Sequence, residues 1–298
     1  AQLNTQFGIT GSVSFGTNPQ GASVATLTHP EGTAEVALQG AQLLHWTPCH
    51  HAPVVWLSPA ARYTPGKSLR GGIPVCWPWF GPHPSDGSKP AHGFARNIPW
   101  EVIETGRLAD ATVIGLRLVL SPAEQALWPY AASLSLRVEM GAQLRLTLTT
   151  CNTGVQPITL TQALHTYFHI SDIIHVSVEG LAGREYIDRV PGRNDARCLQ
   201  TGSVTINGEV DRIYLDAPCT ATIIDQGLRR QIQIHKQGSQ TYVVWNPGAE
   251  KAAKFGDMAP DAYRQMLCVE TTNAWDDARI IPPGGSVSLS STYQVEAL

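Results

Sequence analysis

The feature that most limits what this chain can become is a period-two alternation of apolar and polar residues, recurring through its central and carboxy-terminal parts. In TVIGLRLVL, residues 112–120, the apolar set is Ile114, Leu116, Leu118 and Leu120. SLSLRVEM, then GAQ, then LRLTLTT reads as two strands joined at Gly141, a hairpin. Alternation returns in HVSV (175–178), TATII (220–224), QIQIH (231–235), TYVVW (241–245), MLCVET (266–271) and SVSLSSTYQV (286–295). Serine and threonine on the outer positions, with glycine or proline between runs, suit antiparallel sheets rather than βαβ units. SPAEQALWPY, 121–130, is the clearest helical signal: Ser121 as N-cap, Pro122 at the first position, Glu124 closing a capping box, and Pro129 limiting it to about two turns. No fixed-period repeat or low-complexity linker divides the 298 residues. The expectation is an all-β fold with few short helices, a large antiparallel β-sandwich spanning 1–298 as a single domain. Alternation does not encode closure, so a barrel is the alternative.

With 43% hydrophobic and 15% charged residues, the chain has the material for a substantial core. A net charge of -3 without blocks of like charge gives no basis for a nucleic-acid or membrane partner, so any anion must be held locally. Six cysteines (Cys49, Cys76, Cys151, Cys198, Cys219, Cys268) are scattered singly, without a CxxC pair, and read as reduced thiols. The start AQLNTQFGIT has no charged region followed by an apolar one, no run of eighteen apolar residues occurs, and there is no Asn-x-Ser/Thr acceptor. These point to the cytoplasm and to a monomer acting on a small molecule.

Three stretches could carry chemistry. ITLTQALHTYFHI, 158–170, places His165, Tyr167 and His169 at spacing two; if extended, they share one face, with Leu164, Thr166, Phe168 and Ile170 on the other. His165 is there either a satisfied structural residue or a functional one. A metal pair of His165 with His169 is disfavoured unless the strand breaks there, because i and i+4 on a strand lie roughly 13 Å apart. In MLCVETTNAWDD, 266–277, Glu270 sits among apolar residues, and a carboxylate so placed is either paired or poised with a raised pKa. LRGGIPVCWPWFG, 69–81, and PAHGFARNIPW, 90–100, together place Arg70 beside Gly71 and Gly72, and Arg96 four residues after His92 and three after Gly93. Two guanidinium forks beside glycine turns can hold a phosphate, with turn amides completing an anion nest; alternatively both arginines pair with carboxylates. Trp77, Trp79 and Phe80 are either core or a platform for a sugar ring. Asp211 in EVDRIYLD is either half of a turn ion pair with Arg212 or a carboxylate aimed at a ligand hydroxyl. CHH at 49–51 reads as surface. P-loop, GxGxxG and GxSxG motifs are absent, which removes the usual support for nucleotide and serine-hydrolase chemistry.

In this order, RGGIPVCWPWFGPH, AHGFARNIPW, ALHTYF, DRIY, VVWNP and CVETTNA resemble the D-hexose-6-phosphate epimerases of the aldose 1-epimerase (galactose mutarotase-like) superfamily, over about residues 20–295. The resemblance implies a β-supersandwich that interconverts α and β anomers of glucose 6-phosphate and similar sugars without metal or cofactor. It implies His165 as acid/base partner of the ring oxygen and Glu270 as base for the anomeric hydroxyl. Arg70 and Arg96 become substrate-phosphate ligands, and Asp211 a substrate-contacting carboxylate. Some family members have glutamine before HGFAR where this chain has Ala91, so that hydrogen bond is lost or is supplied by His92 or water. A Glu⁻/His⁺ pair would be a minority state at pH 7 from reference pKa values of roughly 4.3 and 6.5, which leads to the expectation that mutual attraction raises the histidine. The competing readings are an epimerase of free aldoses, which needs no arginine pair, and a silent carbohydrate-binding sandwich, which needs neither His165 nor Glu270.

Overall fold

In the computed structural model, which describes residues 2–298, two eight-stranded antiparallel sheets face each other. One runs Val176–Glu179, Thr220–Asp225, Arg230–Gln237, Ser286–Ala297, Leu144–Asn152, Ala132–Gly141, Ala111–Leu118, Glu101–Arg107. The other runs Ala196–Leu199, Glu185–Asp188, Val210–Tyr214, Thr241–Asn246, Met266–Asn273, Gln162–Leu164, Val75–Cys76, with Tyr167–His169 also paired to Met266–Asn273. Both orders end in free edges, so the fold is a sandwich and not a barrel. The hairpin is present as Ala132–Gly141 with Leu144–Asn152. The helix spans Pro122–Leu127 with the capping box closed from both sides.

Hydrophobic burial between the sheets is the main driving force, and a few satisfied polar pairs set their alignment. Phe168 meets Tyr293 edge-on at 5.4 Å, and Thr166 Oγ1 lies 2.6 Å from the Tyr293 hydroxyl. Thr271 donates to Ser291 across the same gap. Alternation over 112–120 proved incomplete: in Ala111–Leu118 every residue but Arg117 is buried. A four-stranded amino-terminal sheet (Val13–Thr17, Ser23–His29, Gly32–Ala37, Leu43–Pro48) packs beside that strand, and Thr112 donates to the Thr28 carbonyl.

Met266–Asn273 is buried on both faces. Leu267 and Val269 belong to the core between the sheets, whereas Met266 and Cys268 join a smaller core with Trp56, Tyr167, Trp245 and Met258. Glu270 therefore points, by strand alternation, to the side of the smaller core. Among the described residues no helix is long and apolar enough to cross a membrane.

Candidate active site

A cleft of about 560 Å³ opens over this smaller core, and it gathers all six expected site residues: Arg70, His92, Arg96, His165, Asp211 and Glu270. Antiparallel pairing closes the 105-residue gap between the two candidate proton carriers. Gln162–Leu164 pairs with Met266–Asn273 in the register Leu164↔Thr271, and the next residue, His165, is where the strand breaks. The break is held by backbone bonds, His165 N to Pro74 O and Tyr167 N to Gly72 O, each 3.0 Å. The His165 ring then stacks on Tyr167 at 4.9 Å and 10°, and its Nδ1 lies 3.4 Å from Glu270 Oε1. Thus His165 and Tyr167 both line the cleft, but His169 does not.

Burial governs the charges. It pushes Glu270 well above the usual carboxylate range, with Asp211 adding to the effect and Arg96 opposing it. His165 goes the opposite way from the expectation of a raised value: burial lowers it well below 6.5, and His92, Arg96 and Arg70 add positive or competing charge on the same side. Attraction to Glu270 does not outweigh desolvation, because the pair is almost shut off from water, with His165 8% and Glu270 1% exposed. Nδ1 of His165 and Oε2 of Glu270 are buried without a hydrogen-bond partner. Burial, then Arg96 and Arg70, depress His92 to about 3, so it is neutral. Its Nδ1 accepts from the Gly81 N–H at 3.2 Å, which leaves the ring proton on Nε2 as a donor. Asp211 lies in Val210–Tyr214, where alternation sends Arg212 to the opposite side, over Tyr186, so no turn ion pair forms between them.

The two arginines differ. Arg70 is cradled by Asp257, whose Oδ1 takes its Nε at 3.0 Å, and by the Phe255 ring at 4.5 Å. Among the described residues Arg96 has no carboxylate partner: Nη2 donates to the Ala91 carbonyl at 3.0 Å, and Nε is buried and unpartnered. Ala91, lacking a glutamine side chain, thus serves through its backbone. Two further cations, Arg189 and Lys251, line the cleft but are engaged by Asp195 at 3.1 Å and Glu209 at 2.7 Å. No sequence signal marked either; Trp245, which lies in the VVWNP fragment, and Trp275, which follows CVETTNA, also line the cleft.

The glycines act differently from the anion nest expected of them. Gly72, at φ +68°, donates its N–H to Trp56 O at 2.7 Å, and a Cβ there would sit 2.4 Å from Leu43 O. Its freedom serves close packing of protein on protein. Trp77 is fully buried and donates to Thr150; Trp79 is buried and donates to Pro90 O. Phe80 alone of the three lines the cleft. Cys49 and His50 are exposed, as read. His165, Cys268 and Glu270 each bring one donor atom within 4.8 Å of the others, the one such set among the described residues.

Fold and cleft, with the facing His165 and Glu270, are those of a class of supersandwich enzymes, the sugar epimerases. The chain belongs to the aldose 1-epimerase family, whose profile matches residues 23–294. It is 39% identical over 257 residues to an Escherichia coli protein described as a "putative glucose-6-phosphate 1-epimerase", covering 85% of this chain and 83% of that one. A Cenchrus ciliaris protein with the same description is 36% identical over 272 residues, covering 87% and 81%. The crystal structure of a "putative mutarotase" from Salmonella typhimurium superposes with a TM-score of 0.90 at 31% identity, over the whole of both chains.

Proposed function

We propose that this enzyme interconverts the α and β anomers of hexose 6-phosphates, glucose 6-phosphate foremost, with Glu270 and His165 as the proton-transfer pair. The observation that carries the reading is their 3.4 Å contact deep in the cleft, close to a guanidinium, Arg96, that makes no salt bridge among the described residues. Ring opening takes a proton from the anomeric oxygen and gives one to the ring oxygen, two oxygens on the same carbon. Glu270 as carboxylate takes the first, and His165 as imidazolium gives the second. After the transfer the pair is carboxyl and neutral imidazole, and rotation about C1–C2 followed by the reverse transfers yields the other anomer. The pair holds one proton throughout. Burial favours its uncharged form, the form that faces the open-chain sugar, which lowers the cost of the intermediate. Arg70 and Arg96 hold the phosphate; His92 Nε2–H and Asp211 contact hydroxyls.

An epimerase of neutral sugars would leave Arg96 unused, and a silent binding module would have no use for a buried pair with unpartnered atoms. We take the enzyme to act as a monomer, and six free cysteines, two of them buried, suit the reducing cytoplasm. NMR exchange spectroscopy of anomer interconversion, run in parallel on glucose 6-phosphate and glucose, tests the proposal. Acceleration of the phosphorylated sugar is expected; acceleration of glucose alone would overturn the substrate assignment.

A further inference from the structure

Cys268 has no part in the chemistry above, yet it lies one pleat from Glu270, on the same side of Met266–Asn273. Its thiol is fully buried, and its sulfur, a ring nitrogen of His165 and a carboxylate oxygen of Glu270 all lie within 4.8 Å of one another. Two of the prospective donors, His165 Nδ1 and Glu270 Oε2, are buried without hydrogen-bond partners, and the Nδ1 is held only by its 3.4 Å ion-pair contact with Glu270 Oε1. We infer that His165, Cys268 and Glu270 form a site for a soft divalent cation, Zn²⁺ in the first place, and that occupancy switches the enzyme off by tying up both proton carriers.

The donor chemistry selects the ion. One sulfur, one imidazole nitrogen and one carboxylate oxygen make a set that suits Zn²⁺ and Co²⁺, whereas Mg²⁺ and Ca²⁺ require oxygen cages. Tetrahedral zinc, with bonds of about 2.0–2.3 Å, needs donors somewhat over 3 Å apart. His165 Nδ1 and Glu270 Oε1 already stand at 3.4 Å, and the Cys268 sulfur, within the same 4.8 Å set, has to close the remaining distance. His165 and Glu270 both line the cleft, from which water would complete the shell. On binding, the Cys268 S–H bond is replaced by S–Zn and its proton leaves to solvent, as does the proton shared by the pair; no electron moves. Two negative ligands balance the ion's charge, and Asp211 adds negative charge close enough to perturb Glu270, offsetting the field of Arg96.

The test uses full-length protein freed of metal with a chelator. Titration with Co²⁺ in the absence of sugar should give an intense near-ultraviolet sulfur-to-cobalt charge-transfer band, lost in Cys268→Ala. Zn²⁺ should lower the glucose 6-phosphate anomerisation rate at least tenfold, with recovery on adding chelator. The Zn²⁺ concentration for half-inhibition should rise at least tenfold in Cys268→Ala, each protein being compared with its own metal-free rate. A cobalt spectrum without the sulfur band, or equal inhibition of wild type and Cys268→Ala, would overturn the site. The spectrum does not depend on which sugar is the substrate, so its outcome is separate from that of the proposed function.

Discussion

Replacement of Arg70 by alanine separates substrate selection from chemistry. A guanidinium in a charge-assisted bond to phosphate contributes about 1.5–3 kcal/mol. Its loss should therefore reduce kcat/KM for glucose 6-phosphate about 10- to 150-fold, at roughly 1.4 kcal/mol per decade. The protein framework loses much less. The Arg70–Asp257 bridge, with side chains 25% and 45% exposed, is of the surface kind worth about 0–1 kcal/mol. Contact with Phe255 adds about 0.5–1 kcal/mol. Thermal stability should then fall by only a few degrees, and the rate with glucose should change little. Arg70→Lys should fall between, since it keeps the charge but not the fork. NMR exchange spectroscopy gives both rates, and thermal melts the third quantity. Equal loss on both sugars would refute the reasoning, because Arg70 would then be supporting the site through Tyr167 and Phe255 rather than through phosphate.

Glu270→Gln and His165→Asn should each lower kcat by about 10²–10⁴ while KM for glucose 6-phosphate stays within a few-fold; a loss confined to KM would remove the pair from the chemistry. Gly93→Ala should cost about 3 kcal/mol or more in urea unfolding, since φ is +68° and a Cβ would lie 1.9 Å from Trp77 O, with backbone on both sides of the clash. Lys236 is buried, donates to Ala217 O and Ser239 O, and is lowered to about 8 by desolvation. Its unfolded value of about 10.4 is higher, so the unfolded chain binds more protons between about pH 8 and 10.4, and this lysine's contribution to stability rises with pH across that window. The stability difference between wild type and Lys236→Met should therefore shift in favour of wild type from about pH 8 to 10, and a constant difference would refute it.

How much of this was legible in the sequence follows from the range over which each signal acts. Alternation is local, so the long strands of the two large sheets and the capped helix at Ser121 could be read directly, whereas short or irregular members such as Val75–Cys76, Glu185–Asp188 and Ala196–Leu199 could not. The amino-terminal sheet could not, because strands such as Val13–Thr17 and Ser23–His29 carry mixed burial without a clean period of two. His165 and Glu270 stood out because a histidine and a carboxylate in apolar strands demand an explanation, and sheet pairing supplied it. Arg189 and Lys251 were invisible: each is an ordinary surface-type residue with an acidic partner, and only the fold turns them to the cleft.

The direction of the His165 shift was misjudged for a physical reason that also bears on the mechanism. Sequence supplies the partner charge of Glu270 but not the depth of burial, and attraction between two charges is outweighed when both must leave water. Burial accordingly favours the uncharged form of the pair, with the proton toward Glu270. In the proposed mechanism a bound hemiacetal draws that proton to His165 before the ring opens, and opening returns it to the favoured place. Water admitted to the pair would stabilise the charged form and erase that preference. The stacked Tyr167 and the Trp245 edge, which shield His165, therefore belong to the proton-transfer device as much as to the walls of the cleft.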